Sequence, residues 1–93
     1  MRYNWTVEAL EAVHAQGLTP GDVHFALAGP GPRLIQPING ETRRVLARTA
    51  AGRLIEIWLR DSPNDEELDV WVAFDAGLLA QATWKNAFGD GDS

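Results

Sequence analysis

The side chains in this sequence that are best suited to chemistry are arginines, and most of them lie close together. Five of the seven arginines fall in the segment from Gly40 to Asp61. A guanidinium group presents a planar fork of N–H donors that matches the oxygens of a phosphate. Trp58 lies in the same segment, and an indole ring can stack on a nucleic-acid base. The segment therefore favours phosphate binding, and with it contact with RNA.

Cleavage of RNA adds two requirements, which are a group that moves the proton of a ribose 2′-hydroxyl and positive charge beside the phosphorus. The candidates for proton transfer are His14 and Glu56. The candidates for binding RNA are Arg43, Arg44, Arg48, Trp58 and Arg60. His14 equally fits the last turn of a helix, where the dipole favours its cation, so its role stays open.

The arginine-rich segment predicts a long β-hairpin. Ala50-Ala51-Gly52 is a three-residue loop whose last residue favours the left-handed conformation. This loop pairs Val45 with Ile57 and turns one face of the hairpin into an apolar surface. The opposite face is then predicted to be open and to carry Thr42, Arg44, Leu46, Arg48, Glu56, Trp58 and Arg60. The alternative is an ordinary solvated face with cross-strand pairs such as Arg48 with Glu56.

Several other kinds of chemistry have no support in the sequence. The chain has no cysteine and a net charge of −5. His14 and His24 lack metal-ligand spacing, and Ser62 and Ser93 do not suggest a nucleophile. We therefore expect neither a metal nor a cofactor. We also expect no signal peptide or membrane span, and the absence of cysteine fits the cytoplasm.

The patterning predicts a single α+β domain over residues 1–89, with 90–93 as a disordered acidic tail. We expect two N-terminal helices, a four-stranded antiparallel sheet and one C-terminal helix at about 76–87. The strands are predicted at 33–38, in the two arms of the hairpin, and at 68–74. The last strand is predicted to bury Leu68, Val70, Val72 and Phe74. The last helix is predicted to bury Leu78, Leu79, Ala82 and Phe88.

The order of several short motifs resembles that of the BrnT-type toxins, small ribonucleases of the RelE/ParE-like group. Trp5 precedes a helix that ends in His14-Ala15-Gln16-Gly17, and Glu41-x-Arg43 and Gly52-Arg53-Leu54 follow. The resemblance covers residues 5–84 and implies an α-α-β-β-β-β-α fold, RNA cleavage and neutralisation by an antitoxin protein. By position, His14, Arg43 and Arg53 match residues of the family's motifs.

The C-terminal segment supports a different function. Where the resemblance implies a serine-alanine-arginine element and an arginine-rich helix, this chain has Asp75-Ala76-Gly77 and a helix whose only cation is Lys85. The alternative hypothesis is therefore a non-catalytic protein–protein interaction module that keeps the toxin-like fold. Its candidate partner-binding residues are Leu78, Leu79, Trp84 and Phe88, with a second copy of the chain as one candidate partner.

Overall fold

The computed structural model describes residues 2–62 and 67–89. The predicted tail at 90–93 lies outside the described residues. In chain order the described elements are β1 (Arg2–Trp5), α1 (Val7–Ala15), α2 (Pro20–Ala28), β2 (Arg33–Pro37), β3 (Thr42–Arg48), β4 (Leu54–Asp61), β5 (Glu67–Asp75) and α3 (Leu78–Phe88).

The sheet has five strands in the order β1-β5-β4-β3-β2. The strand pairs β2–β3, β3–β4 and β4–β5 are antiparallel, whereas β1 pairs with β5 in parallel. The prediction of a purely antiparallel, four-stranded sheet is therefore wrong in detail, although the α+β class is correct. Residues 2–5 form the extra strand, which covers part of the edge that β5 would otherwise expose. Tyr3 lies opposite Leu68 in this pairing.

The central hairpin has the predicted register. Val45 lies opposite Ile57, and Ala47 lies opposite Ile55. Gly52 closes the loop with φ of 85°, in the left-handed region where a Cβ is unfavourable. The Gly52 amide donates to the Thr49 carbonyl at 2.9 Å. The loop therefore directs the aliphatic residues of both strands to the same side of the sheet.

Helices α1 and α2 pack on that aliphatic side and form the main core. The Thr6 hydroxyl accepts the Ala9 amide at 3.0 Å and caps α1. Thr19 and Asp22 form a reciprocal capping box at the start of α2. The fully buried members of this core include Val13 and Val23 from the helices and Val45, Ile55, Ile57 and Val70 from the sheet.

Helix α3 covers part of the opposite side of the sheet, which the sequence predicted to be open. Ala80 and Trp84, four residues apart on one stripe of α3, pack with Leu46 in a second buried cluster. Leu78 and Leu79 are 84% and 86% exposed. The predicted set of buried α3 residues was therefore wrong, because the indole of Trp84 fixes which stripe of the helix faces the sheet.

A β-bulge in β5 changes which residues that strand buries. Leu59 lies opposite Val70 and Trp58 lies opposite Val72, so Trp71 is an extra residue in the ladder. After the bulge, Ala73 is fully buried. The prediction that Val72 and Phe74 point into the same core as Val70 was wrong, because the inserted residue reverses the alternation.

Candidate nucleic-acid interface

The part of the second sheet surface that α3 leaves uncovered carries arginines and tryptophans. We call it the arginine face and define it by Arg44, Glu56, Trp58, Arg60 and Trp71. Arg44 lies opposite Trp58 across the β3–β4 ladder, so the two side chains share this surface. The sequence predicted one shared face for the four members that belong to the hairpin, and it also turned Trp71 away from the core without naming it as a site residue.

Neighbouring side chains orient both arginines of this face. The Arg44 Nε donates to Gln36 Oε1 at 2.9 Å, and its Nη2 donates to the same oxygen. The guanidinium carbon of Arg60 lies 4.4 Å from the centroid of the Trp71 ring, which is a cation–π distance. Neither of these contacts is to a carboxylate, so the charge of Arg44 stays available to an anion. Asp69 lies opposite Arg60 across the β4–β5 ladder and offsets part of the charge of Arg60.

The two tryptophans form an edge-to-face pair beside these cations. The ring centroids of Trp58 and Trp71 are 6.4 Å apart, and the ring planes meet at 86°. Trp71 is exposed, and Trp58 is half-buried. Proteins that bind single-stranded nucleic acids combine an aromatic surface, on which bases stack, with positive charge that binds the backbone.

Glu56 is the unusual member of the arginine face because it is a carboxylate that is only 9% exposed. It lies between Leu46 on β3 and Phe74 on β5. Its Oε2 accepts a hydrogen bond from Trp58 Nε1 at 2.6 Å. Within residues 2–62 and 67–89 no arginine or lysine pairs with it. A buried carboxylate without a paired cation is costly, which marks it as a candidate for function.

Two of the predicted RNA-binding arginines lie away from this face. Arg43 projects from the opposite side of the sheet, since it alternates with Arg44 along β3. Its Nη2 is 3.5 Å from Asp61 Oδ1. Arg48 shares the side of Arg44 but lies at α3, where its guanidinium carbon is 5.6 Å from the centroid of the Trp84 ring. The structure therefore brings together Arg44, Arg60 and Trp58 but not the whole predicted set.

The two candidates for proton transfer do not meet. His14 is an exposed residue of α1, and α1 packs through Val13 on the core that contains Ile55 and Ile57. Glu56 lies between those two residues on β4 and therefore points to the other side of the sheet. A site that uses Glu56 cannot use His14 in this conformation.

Arg53, which the family resemblance also matched, joins two strand ends to α1. Its Nε and Nη2 donate to Asp75 Oδ1 and Oδ2 at 2.5 and 2.7 Å. Its Nη2 also donates to the Gln16 carbonyl at 2.6 Å. The hydrogen bonds from Arg53 lower the pKa of Asp75 against a smaller opposing effect of burial, and those to Asp75 raise the pKa of Arg53. All of these groups are used within the fold, so this arginine acts as a structural clamp.

Two residues of the site were not predicted from the sequence. Trp71 was not named as a site residue, although the alternation that buries Val70 directs Trp71 to the other side of the sheet. Gln36 orients Arg44 from the edge strand β2. The pairing of β2 with β3 was predicted, but a two-residue loop at Asn39-Gly40 would have placed Gln36 opposite Arg43, whereas the structure places it opposite Arg44.

The predicted partner-binding residues of α3 fall into two groups. Leu78, Leu79 and Phe88 are exposed, whereas Trp84 is buried against the sheet and is not available to a partner in this conformation. The described residues contain no group of histidines, cysteines and carboxylates that could hold a metal ion. No helix among them is both long and apolar enough to cross a membrane.

The fold is a small α+β domain with three helices and a five-stranded mixed sheet. This fold is similar to a solved structure, that of the Brucella abortus ribonuclease toxin, BrnT. The two superpose with a TM-score of 0.61 over 83% of this chain and 97% of BrnT, at 16% sequence identity. At this identity the similarity shows the fold alone. No family model and no curated protein matches the sequence.

Proposed function

We propose that this protein is a BrnT-like toxin that cleaves single-stranded RNA on the arginine face. The observation that carries the proposal is the nearly buried carboxylate of Glu56, held by Trp58 next to Arg44 on the same surface. The BrnT-like fold supports the same function. The proposed location is the cytoplasm, where RNA is the available substrate.

In the proposed reaction the arginines hold the phosphate and Glu56 moves the proton. Arg44 and Arg60 bind the phosphate oxygens and neutralise the charge that develops on them. Glu56 takes the proton of the ribose 2′-hydroxyl, and the 2′ oxygen forms a bond to phosphorus. The bond from phosphorus to the 5′ oxygen breaks, and that oxygen takes a proton from water. The products are a 2′,3′-cyclic phosphate and a free 5′-hydroxyl, and no cofactor is required.

The aromatic side chains position the substrate in this proposal. A base stacks on the exposed ring of Trp71 or beside Trp58, while the neighbouring phosphate lies on Arg60. Because Arg60 already lies over Trp71, stacking a base there requires the guanidinium to move from the ring to the phosphate. This exchange replaces one cation–π contact with a charge-assisted hydrogen bond.

Cleavage of a labelled single-stranded RNA by the purified protein tests this proposal. Glu56→Gln keeps the size of the side chain and removes the base, so we expect cleavage to fall by about 100-fold or more. We expect the rate of cleavage to fall by a similar factor in Arg44→Ala and in Arg60→Ala, because each variant loses a group that binds the phosphate. The product should carry a 2′,3′-cyclic phosphate.

The sheet offers a matched control for these variants. Arg43 is adjacent to Arg44 in sequence but faces the other side of the sheet. We expect Arg43→Ala to retain cleavage while Arg44→Ala loses it. Equal losses from both variants, or cleavage that survives Glu56→Gln, would contradict the proposed site.

A protein partner is the second part of the proposal, and an observation on α3 supports it. Leu78 and Leu79 expose their side chains almost completely at the start of α3. We propose that an antitoxin protein contacts these residues and Phe88. If the protein proves inactive on RNA, the same surface supports the alternative of a non-catalytic interaction module. Co-purification of wild-type protein and of Leu78→Asp with the product of the neighbouring gene tests this contact, since the variant should lose the partner. Cleavage of RNA by the same protein separates an active toxin from the non-catalytic module.

A further inference from the structure

We propose that a second site, a cleft on the helix-bearing side of the sheet, binds a small organic anion with an apolar body. The cleft has a volume of about 270 Å³ and is lined by Val45 and Arg43, among others. Both residues face away from the arginine face. The cleft is therefore separate from the proposed RNA site, and a ligand could occupy it while RNA is bound.

The cleft exists because the two N-terminal helices leave one end of the sheet uncovered. Helix α1 begins beside Val70, whose carbonyl accepts the Thr6 hydroxyl at 3.3 Å. It ends beside Asp75, whose amide donates to Gln16 Oε1 at 3.3 Å. The helix thus runs along β5 away from Leu68, and the surface around Leu68 is left for the cleft.

The floor of the cleft is apolar and firmly packed. It is formed by four side chains from α2 and three strands, which are Leu27, Val45, Leu59 and Leu68. All four belong to the main buried core, so the floor does not depend on mobile surface groups. Such a floor favours an apolar ligand, because covering it removes apolar area from water at about 25 cal/mol per Å².

The walls of the cleft leave apolar surface open to solvent. Tyr3 of β1 and Ile35 of β2 stand on opposite sides, and Ile35 is 54% exposed although it lies opposite the buried Val45. A ligand between these side chains would cover both of them. The cleft is near the lower end of the size range of small-molecule sites, about 300–1,000 Å³.

Arg33 places a fixed positive charge at one end of the cleft. Its Nε donates to the Ala26 carbonyl at 3.3 Å, and its Nη2 donates to the Gly29 carbonyl. Both carbonyls belong to the end of α2, so the helix terminus orients the guanidinium. These bonds use neutral acceptors and leave the charge of Arg33 without a carboxylate partner in the described part of the chain.

Arg43 places an exchangeable positive charge at the other end. Three residue pairs of the β2–β3 ladder lie between the pair that contains Arg33 and the pair that contains Arg43. Its contact with Asp61 is long, at 3.5 Å, and the two side chains are 42% and 40% exposed, so the pair contributes little stability. An anion in the cleft can form shorter, two-point hydrogen bonds with this guanidinium and replace Asp61.

The charge of the cleft identifies the class of ligand. Two arginines line it, and none of the described aspartates or glutamates does. A basic, apolar cleft on a chain of net charge −5 selects an anionic head group on an apolar body. Carboxylate, sulfonate and phosphate monoester head groups share this chemistry.

Titration of the full chain with octanoate and with octanol, followed by amide chemical shifts, tests the proposal. The two probes have equal chain length, but only octanoate carries charge. We expect octanoate to bind at least about tenfold more tightly, and to shift the amides around Ile35, Val45 and Leu68. Equal binding of the two probes, or shifts centred on Leu78 and Leu79 of α3, would overturn the proposal.

Two neighbouring substitutions sharpen the test. Arg43→Gln removes a charge from the cleft, whereas Arg44→Gln removes the same charge from the other side of the sheet. We expect Arg43→Gln to weaken octanoate binding by about tenfold and Arg44→Gln to leave it unchanged. Equal effects of the two variants would overturn the proposal. The comparison of octanoate with octanol on the wild-type chain does not depend on how either variant folds.

Discussion

Trp58 Nε1 donates a 2.6 Å hydrogen bond to Oε2 of Glu56, two residues before it on β4. This is the only hydrogen bond to that nearly buried carboxylate from the residues that the structure describes. A buried carboxylate that loses its donor keeps its full desolvation cost. We therefore expect Trp58→Phe to lower the free energy of unfolding by about 1–3 kcal/mol, as measured by urea denaturation at pH 7.

Trp71→Phe is the control for this prediction. Trp71 is exposed, and its ring contacts the ring of Trp58 and the guanidinium of Arg60, so a smaller ring there leaves no buried group without a partner. We expect a change below about 0.5 kcal/mol. Equal destabilisation by the two variants would show that ring packing, and not the hydrogen bond to Glu56, dominates.

The clamp between Arg53 and Asp75 predicts a specific dependence of stability on pH. The pKa of Asp75 lies below its usual value of 3.8, chiefly because it accepts hydrogen bonds from Arg53. A carboxyl whose pKa is lower in the folded state stabilises the fold at pH values above its unfolded pKa, and this contribution is lost as the pH falls through the folded pKa. Asp75→Asn should therefore destabilise the protein at pH 7 and have less effect below pH 3.8.

Urea midpoints of the wild type and Asp75→Asn, measured at pH 7 and again in acid, check this expectation. Asp61→Asn is a suitable comparison, because the Asp61 carboxylate makes a long contact of 3.5 Å with Arg43 in place of the short two-point contact of Asp75 with Arg53. We expect it to change the midpoint less than Asp75→Asn does at pH 7. A difference between wild type and Asp75→Asn that stays constant across the acid range would contradict the clamp.

The hairpin was predictable because its information is local. The glycine after Ala50-Ala51 determines the conformation of the loop. The loop in turn determines which residues pair along β3 and β4, including Val45 with Ile57. The placement of Arg44 and Trp58 on one surface follows directly from that register. Four of the five residues of the arginine face could therefore be placed from a single turn.

The remaining features depend on contacts between distant segments. The bulge that turns Val72 and Phe74 away from the main core arises between β4 and β5, and no turn in the sequence marks it. Which side of α3 is buried depends on the packing of Trp84 against Leu46 of β3. Leu78 and Leu79 are as apolar as the buried residues, so composition alone could not show that they are exposed.

Gly52→Ala tests the loop on which the hairpin register depends. Gly52 has φ of 85°, and a Cβ built there would meet no atom within 4 Å. The cost is therefore conformational rather than steric, and we expect a loss of about 1–2 kcal/mol. Gly31→Ala is the control, because that position is also open but does not have positive φ. A similar loss in both variants would argue against a left-handed requirement at Gly52.

The attachment of α3 to the sheet depends on one side chain, and Trp84→Ala tests it. Trp84 is buried with Leu46 and Ala80, and Phe88 packs on it from the exposed side with ring centroids 4.4 Å apart. Truncating a buried tryptophan typically costs about 3–5 kcal/mol, whereas Phe88→Ala removes a ring that is 40% exposed and should cost less than half as much. Urea denaturation gives the two free energies, and amide exchange shows where the loss occurs.

We expect amide exchange in Trp84→Ala to rise first in α3 and at Leu46, while Ile55 and Ile57 in the main core stay protected. Uniform loss of protection across both cores would instead mean that α3 and the sheet unfold as one cooperative unit.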